Sequence, residues 1–600
     1  MKICLCTTPI RPKPTTYPPF GSLAVIQALR KVGENTKFYH IDYHRYNDAQ
    51  NHKYFLDNQF DVVAISAVVS TAYAYTKYLV NLVKNVSPKT KIIVGGGLAA
   101  SSEILHRKAK VDYCVIGDGE IIIQNLVKSI RENKTSDSDL NKIKGITYID
   151  NKDVFRFTGY EHALPSGLIE RPDWTILEQD KSIDHYIREE TVSYWQDDTE
   201  DWEEGKKITT IEVAKGCVAR CTFCHRFEKG YRVSPQDSII QHMKMLKEKY
   251  NVKYFTFGDE NFGSYKKETL ELIEKMSAEG FIWRAGGVRA HTVDLETLKT
   301  WKRNGCFNVT YGIESGSPTM LKVMEKKITV EQNIKALKWT YEAGLSTILQ
   351  LVIGMPGETD KTIDETIDFM MKTMPYYSDV FRKQLSLVFS VNYAQALPGT
   401  PLYEWAREHK YVGKDIDSEE AYLIKISDTD AYDNDHFLNY TQQPLLKVLG
   451  WRTKIYWKAF RWHATNNLNI KLTKIQILKG LISVIINKIF KTKINSSLKN
   501  TLDSCYTGIH KDQYYNNSDY SYLQYGLKLL LPWNKWTYPF ISILVAYKEA
   551  KNAKWFFKLI FDHIIWSFNV FKKFDLPKDT LRKIVQITDT DQSLEIRKGR

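Results

Sequence analysis

Three features of the sequence predict an α/β architecture with a helical remainder. Five short β-rich apolar runs alternate with helix-patterned stretches over the first 130 residues, a second βα alternation runs from Thr209 to about residue 390, and a basic, helix-patterned stretch follows. The first feature predicts a doubly wound parallel sheet, the second a full or partial (β/α) barrel, and the third a mainly α-helical carboxyl-terminal domain. Six hundred residues exceed what one core usually organises, so about two to four domains are expected. We place their boundaries at 1–135, 136–205, 206–420 and 421–600.

In the first segment, KICLCT, KFYHID, DVVAISAV, KIIVGGG and DYCVIG read as strands. Between them GSLAVIQALRKVG and AYTKYLVNLVKNV place apolar residues at helical spacing, with Gly33 as a stop. Residues 136–205 lose this rhythm. They hold a hairpin pattern, GITYIDNKDVFRF, and an acidic stretch, DDTEDWEEGKK, which mark a linker and lid. Barrel strands are expected at TTIEVAKG, YFTFGD, IWRAGGV, FNVTYGIE and TILQLVIGM, with a sixth near QLSLVFS.

The formal net charge of +14 is unevenly placed: Trp451–Arg600 carries 26 Lys and Arg against 10 Asp and Glu, which leaves the first 450 residues at −2. A basic patch spread over the whole protein, as a nucleic-acid binder would show, is therefore not indicated, and no RNA module is recognisable. The opening MKICLCTTPIRPKP reads as a first strand rather than an export signal. The longest apolar stretches, such as 538–547, fall short of the roughly 20 residues that cross a bilayer. A cytoplasmic protein is expected.

Eight cysteines without an export signal argue against a disulfide framework. Three of them form a Cx3Cx2C loop, Cys217, Cys221 and Cys224, directly after the first barrel strand. Chance alone would place such a match about once in a thousand chains of this composition. Three thiolates on one loop can hold three corners of a cubane and leave one iron open. The alternative is a zinc site completed by His225 or a distant residue, although no second CxxC exists to supply the usual paired ligands. Cys4, Cys6, Cys114, Cys306 and Cys505 read as small buried hydrophobes.

At these residues the sequence resembles the radical S-adenosylmethionine (radical SAM) superfamily, whose hallmark is this three-cysteine loop after the first strand of a partial barrel. Phe223 matches the aromatic next to the third cysteine. Phe257-Gly258-Asp259-Glu260-Asn261-Phe262 resembles the segment that contacts the methionine amino group. Tyr311-Gly312-Ile313-Glu314-Ser315-Gly316-Ser317 resembles the ribose-contacting strand, with Glu314 as hydroxyl partner, and Ile353-Gly354-Met355-Pro356-Gly357-Glu358-Thr359 the turn bordering the adenine. Read without the resemblance, the same glycines suit tight turns, Glu314 and Glu358 suit helix amino termini, and Asp259 suits a cap.

The front segment is similar to the Rossmann-like cobalamin-binding domain of many such enzymes, through Pro19–Ala24, Val94-Gly95-Gly96-Gly97 and Gly117-Asp118-Gly119-Glu120. The resemblance implies a corrin over the strand ends, approached by Ser66, Ser70 and these glycines. The loop TTPIRPKPTT carries no histidine to serve as a lower cobalt ligand.

Together these resemblances imply a [4Fe-4S] cluster, S-adenosylmethionine and cobalamin as cofactors, and an electron donor such as flavodoxin or ferredoxin. They imply a 5′-deoxyadenosyl radical that abstracts hydrogen from a small-molecule or peptide substrate, followed by methylation of an unactivated carbon. The rival outcomes are radical cyclisation, rearrangement or carbon–carbon coupling without methyl transfer. From another class, the rival is a non-catalytic, metal-stabilised scaffold at a membrane or on nucleic acid. The basic tail reads either as a helical cover for the barrel or, through stretches such as AKWFFKLIFDHIIWSFNVFKKF, as a peripheral contact with the inner face of a membrane.

Overall fold

The computed structural model describes residues 1–189, 202–225, 230–376, 389–429, 437–466, 469–490, 499–500, 526–534, 536–549 and 552–568. Residues 197–201 of the acidic stretch ending the linker, the beginning of QLSLVFS, Cys505 and the end of the AKWFF stretch lie outside the described residues.

The front sheet contains β1 (Lys2–Thr7), β2 (Asn35–Tyr39), β3 (Val62–Ser66), β4 (Lys91–Gly95), β5 (Tyr113–Val115), β6 (Ile146–Ile149) and β7 (Phe155–Phe157), in the order β2-β1-β3-β4-β5-β6-β7. The first five are parallel. The chain must then cross the sheet between strands, and helices such as Phe20–Lys31, Tyr73–Val86 and Ser102–Ala109 make those crossings. Ile3, Cys4, Leu5 and Cys6 in β1 are all buried, as a central strand covered on both faces requires. Gly33, at φ 79°, ends the first helix as expected. The hairpin pattern forms β6 and β7, and β6 pairs antiparallel with β5, so the front sheet continues to Phe157.

The second sheet has the order β16-β15-β14-β13-β12-β9-β8. Its strands are β8 (Arg188–Glu189), β9 (Lys207–Ile211), β12 (Val252–Phe257), β13 (Ile282–Val288), β14 (Cys306–Glu314), β15 (Ser346–Ile353) and β16 (Phe389–Tyr393). From β9 to β16 the six are parallel and follow chain order, which makes an open half-barrel, and only β8 runs antiparallel. A separate pair, β10 (Ala214–Lys215) with β11 (Arg232–Val233), brackets the cysteine loop.

Beyond the barrel, helix Leu445–Asn466 lies on helix Asp360–Thr373, where Trp451 donates to Asp360 at 2.7 Å and Lys454 pairs with Asp364 at 2.5 Å. Helices Tyr538–Glu549 and Ala553–Phe568 pack on Leu445–Asn466 and on each other. Among the described residues no helix is long and apolar enough to cross a membrane.

Candidate functional site

The cysteine loop leaves β10 through Gly216, whose φ of 80° suits glycine. Its middle is fastened at Thr222. That residue donates its amide to Met324 at 3.1 Å and its hydroxyl to Val323 at 2.9 Å, and accepts from the amide of Leu402 at 2.9 Å. Cys221 is buried, Cys217 half-buried and Cys224 exposed. Desolvation by the surrounding protein still pushes the Cys224 thiol up to about 12, helped by Cys221, Glu260, Cys217 and Glu314. The other two thiols and the two carboxylates therefore lie near enough to Cys224 to act on its charge.

Among the described residues no group of three or more His, Cys, Asp or Glu side chains is drawn together tightly enough for one metal ion. A cubane makes no such demand, because each thiolate takes a different iron. The His225 ring packs beside Gly399 and Gly97. A Cβ built on Gly399 would meet its Nε2 at 2.9 Å and one on Gly97 its Cε1 at 3.6 Å. The donor set thus fits a three-thiolate cluster and provides no imidazole as a fourth ligand.

The neighbouring motif residues divide into those near the thiols and those that shape their surroundings. Asp259 is buried and turns back to accept from the amides of Val213 at 3.1 Å and Ala214 at 2.5 Å, fixing the approach to the cysteine loop. Burial, then Glu212, raises its carboxyl to about 8. Asn261 is fully buried, and neither of its amide atoms has a hydrogen-bond partner among the described residues. Glu314 has the left-handed φ of 62° and lies 3.3 Å from Lys326 Nζ. The Ser315 hydroxyl bonds Thr366 and accepts from the amide of Ser317, both at 3.1 Å. Ile353 ends β15 in the core, and Gly354 follows at φ 84° under the ring of Phe437. Glu358, also buried, accepts from the amides of Gly354 and Met355, and its carboxyl is raised to about 8 by burial.

In the front domain, Ser66, Gly95, Gly96, Gly117, Gly119 and Glu120 line a cavity of about 500 Å³ at the carboxyl ends of the parallel strands. Cβ atoms on Gly117 and Gly21 would project into empty space, as a cradle for a large flat ligand requires. Gly96 and Gly97 have another reason to be glycine: their Cβ atoms would lie 2.6 and 2.3 Å from the carbonyl oxygens of Ala67 and Val68. Ser70 is buried in a short 3-10 turn and is absent from the lining of this cavity.

A second cavity, of about 340 Å³, opens between the two sheets and is lined by Gly97, Gly216, His225, Gly258, Asp259 and Glu260. Phe20, Gly21, Val68, Glu120 and Lys215 belong to the walls of both cavities. The two cavities therefore adjoin across shared walls, one at the front strand ends and one beside Gly216 at the start of the cysteine loop. Contacts from distant parts of the chain build this two-part space. Tyr17 donates to Glu212 at 2.6 Å and to the Gly258 carbonyl at 3.2 Å, Lys215 pairs with Glu120 at 2.7 Å, and Arg232 pairs with Asp118 at 2.7 Å. Arg171 donates to the Glu212 carbonyl at 2.6 Å. Of these partners, Tyr17, Arg171, Glu212 and Arg232 lie in none of the cofactor-like motifs.

Comparison with known proteins bears on both halves of this space. A model of the radical SAM superfamily matches residues 211–370, and a B12 binding domain model matches residues 13–127. An uncharacterized methyltransferase of Pyrococcus horikoshii is 28% identical over 58% of this chain and 69% of its own length. The anaerobic magnesium-protoporphyrin IX monomethyl ester cyclase of Cereibacter sphaeroides is 25% identical over 58% of this chain and 56% of its own length. The fold is shared with the radical S-adenosylmethionine methyltransferase TsrM of Kitasatospora setae, solved with cobalamin and a [4Fe-4S] cluster bound, at a TM-score of 0.51 and 17% identity over 68% of this chain and 75% of that one. It is shared also with the cobalamin-dependent S-adenosylmethionine radical enzyme OxsB, at a TM-score of 0.55 and 14% identity over 98% of this chain and 84% of that one.

Proposed function

We propose that this chain, whose residues 211–370 match the radical SAM superfamily model and whose residues 13–127 match a B12 binding domain model, is a cobalamin-dependent methyltransferase acting on an unactivated carbon of a small molecule or peptide. The observation that carries this reading is the pair of adjoining cavities, one at the front strand ends and one beside the start of the cysteine loop, that share Phe20, Gly21, Val68, Glu120 and Lys215 as walls. A methyl carrier and a hydrogen-abstracting centre must both reach one substrate carbon, and a shared wall puts their sites side by side.

When bound, the cluster with S-adenosylmethionine supplies hydrogen abstraction and the cobalamin supplies a transferable methyl group. The protein's part is to bind, orient and exclude water. Cys217, Cys221 and Cys224 would take one iron each. Gly258, Glu260 and Asn261 would face the amino-acid end of S-adenosylmethionine, Glu314 its ribose, and Phe223, Ile353 and Gly354 its base. Asp259 and Ser315 would act indirectly, by holding the backbone that those groups stand on. Ser66, Gly95, Gly117 and Gly119 would border the corrin, while Gly96, Gly97 and Ser70 shape the turns behind it. Glu120 would serve as the tether to Lys215. A flavodoxin or ferredoxin would deliver electrons, and the carboxyl-terminal helices would make any membrane contact.

The test is anaerobic reconstitution with iron, sulfide and cobalamin, followed by analysis of products from S-adenosylmethionine with and without reductant. Methyl transfer requires release of S-adenosylhomocysteine that depends on cobalamin. Cleavage to 5′-deoxyadenosine alone, with no cobalamin bound, would overturn methyl transfer in favour of cyclisation, rearrangement or coupling.

A further inference from the structure

The carboxyl-terminal helices expose apolar residues in ordered rows. On helix Lys474–Phe490, Ile475, Leu478, Ile482 and Ile485 are exposed, whereas Ile477, Leu481 and Val484 are buried. At 100° per residue the exposed four fall within about 80° of one another, and the buried three form a neighbouring face centred about 110° away. Helix Tyr538–Glu549 repeats the arrangement, with Phe540, Ile543 and Tyr547 outward and Ile541, Val545 and Ala546 inward. On helix Ala553–Phe568, Phe557, Phe561, Ile564 and Ile565 are outward and Leu559 inward. Each helix thus has two apolar faces, and the core needs only one.

Isolated exposed apolar residues are ordinary, but aligned rows on three helices are not. Lys474, Lys479, Lys554 and Lys558 are exposed on the same helices. They belong to the segment that carries the protein's entire positive surplus, 26 basic against 10 acidic residues from Trp451 onward. An apolar row beside lysines suits a surface that is oily beneath and anionic above, which is the interface of an anionic bilayer. A protein groove would bury the rows equally well but would not call for this charge.

We infer that the helices Lys474–Phe490, Tyr538–Glu549 and Ala553–Phe568 form a surface that docks the enzyme onto an anionic phospholipid membrane, their outward rows entering the headgroup region and their lysines meeting the phosphates. The rows lie outside the cofactor space, so this docking stands independently of the reaction proposed above.

The test is co-sedimentation of the reconstituted full-length protein with vesicles of equimolar phosphatidylglycerol and phosphatidylcholine, or of phosphatidylcholine alone. Binding to the anionic vesicles is expected to be at least tenfold stronger and to weaken with salt. The triple variant I482E/F540E/F561E is expected to lose at least tenfold in partitioning while keeping the visible absorbance of its cluster. A milder pair, K479Q/K558Q, should reduce anionic binding alone. Absence of sedimentation, or equal sedimentation of the triple variant and the parent, would overturn the inference. So would a lipid-free dimer of the parent that the triple variant converts to monomer, since a second copy would then cover the rows.

Discussion

Lys215 Nζ lies 2.7 Å from Glu120 Oε1, which fastens the residue two places before Cys217 to the front domain's Gly117–Glu120 turn. Both side chains are mostly shielded from solvent, so screening is weaker than at an open surface. We predict that K215M and E120Q each lower turnover about tenfold or more, the scale expected when a reacting group is displaced by a fraction of an ångström to an ångström. Iron and cobalamin content should stay near the parent's, as measured by iron assay and visible absorbance. Loss of iron in either variant would show that the pair holds the cluster loop itself rather than its alignment.

Glu314 and Lys326 form a second charged contact, at 3.3 Å and mostly buried. If Glu314 bonds the ribose, E314Q should raise the KM for S-adenosylmethionine roughly tenfold or more, the range for a hydrogen bond to a charged group. K326M should have a smaller effect, since it leaves the carboxylate in place. Initial-rate measurement of 5′-deoxyadenosine release separates the two.

Burial raises the Glu358 carboxyl to about 8, above the roughly 4.3 of an unfolded chain. The folded state then keeps the proton between about pH 4 and 8. The stability this contributes is complete below pH 4 and disappears as pH rises through 8. We predict a urea midpoint that falls from pH 6 to pH 8.5. E358Q, which resembles the protonated acid, should flatten the dependence, and an unchanged slope in that variant would assign it to other groups.

Gly354 combines a φ of 84° with a Phe437 ring atom 2.5 Å from where a Cβ would stand. G354A is expected to cost about 1–3 kcal/mol, from strain and displacement of the ring together. The double variant G354A/F437A should recover none of the backbone strain. Denaturant titration of the three proteins checks the order.

What the sequence made legible follows from the range of each interaction. The Cx3Cx2C loop and the β-rich runs are local patterns, and they fold as read, with β1 and β13 falling on KICLCT and IWRAGGV. The direction of a side chain is not a local pattern. Asp259 stands in a cofactor-like motif yet turns toward Val213 and Ala214, and Glu120 stands in a glycine-rich turn yet pairs with Lys215. Gly96 and Gly97 were readable as close-approach positions, but the group approached is the backbone of Ala67 and Val68. Tyr17, 195 residues from Glu212, could be found only once the two sheets were in place.

The anchoring of Thr222 to Val323, Met324 and Leu402 has a consequence for survival in air. Oxygen destroys exposed iron–sulfur centres, and a loop ordered only by its metal would unravel with them. Here the middle of the loop is held by the surrounding framework, so loss of the inorganic core is expected to leave the socket's shape in place. Repair then needs fresh iron and sulfide rather than a newly folded chain.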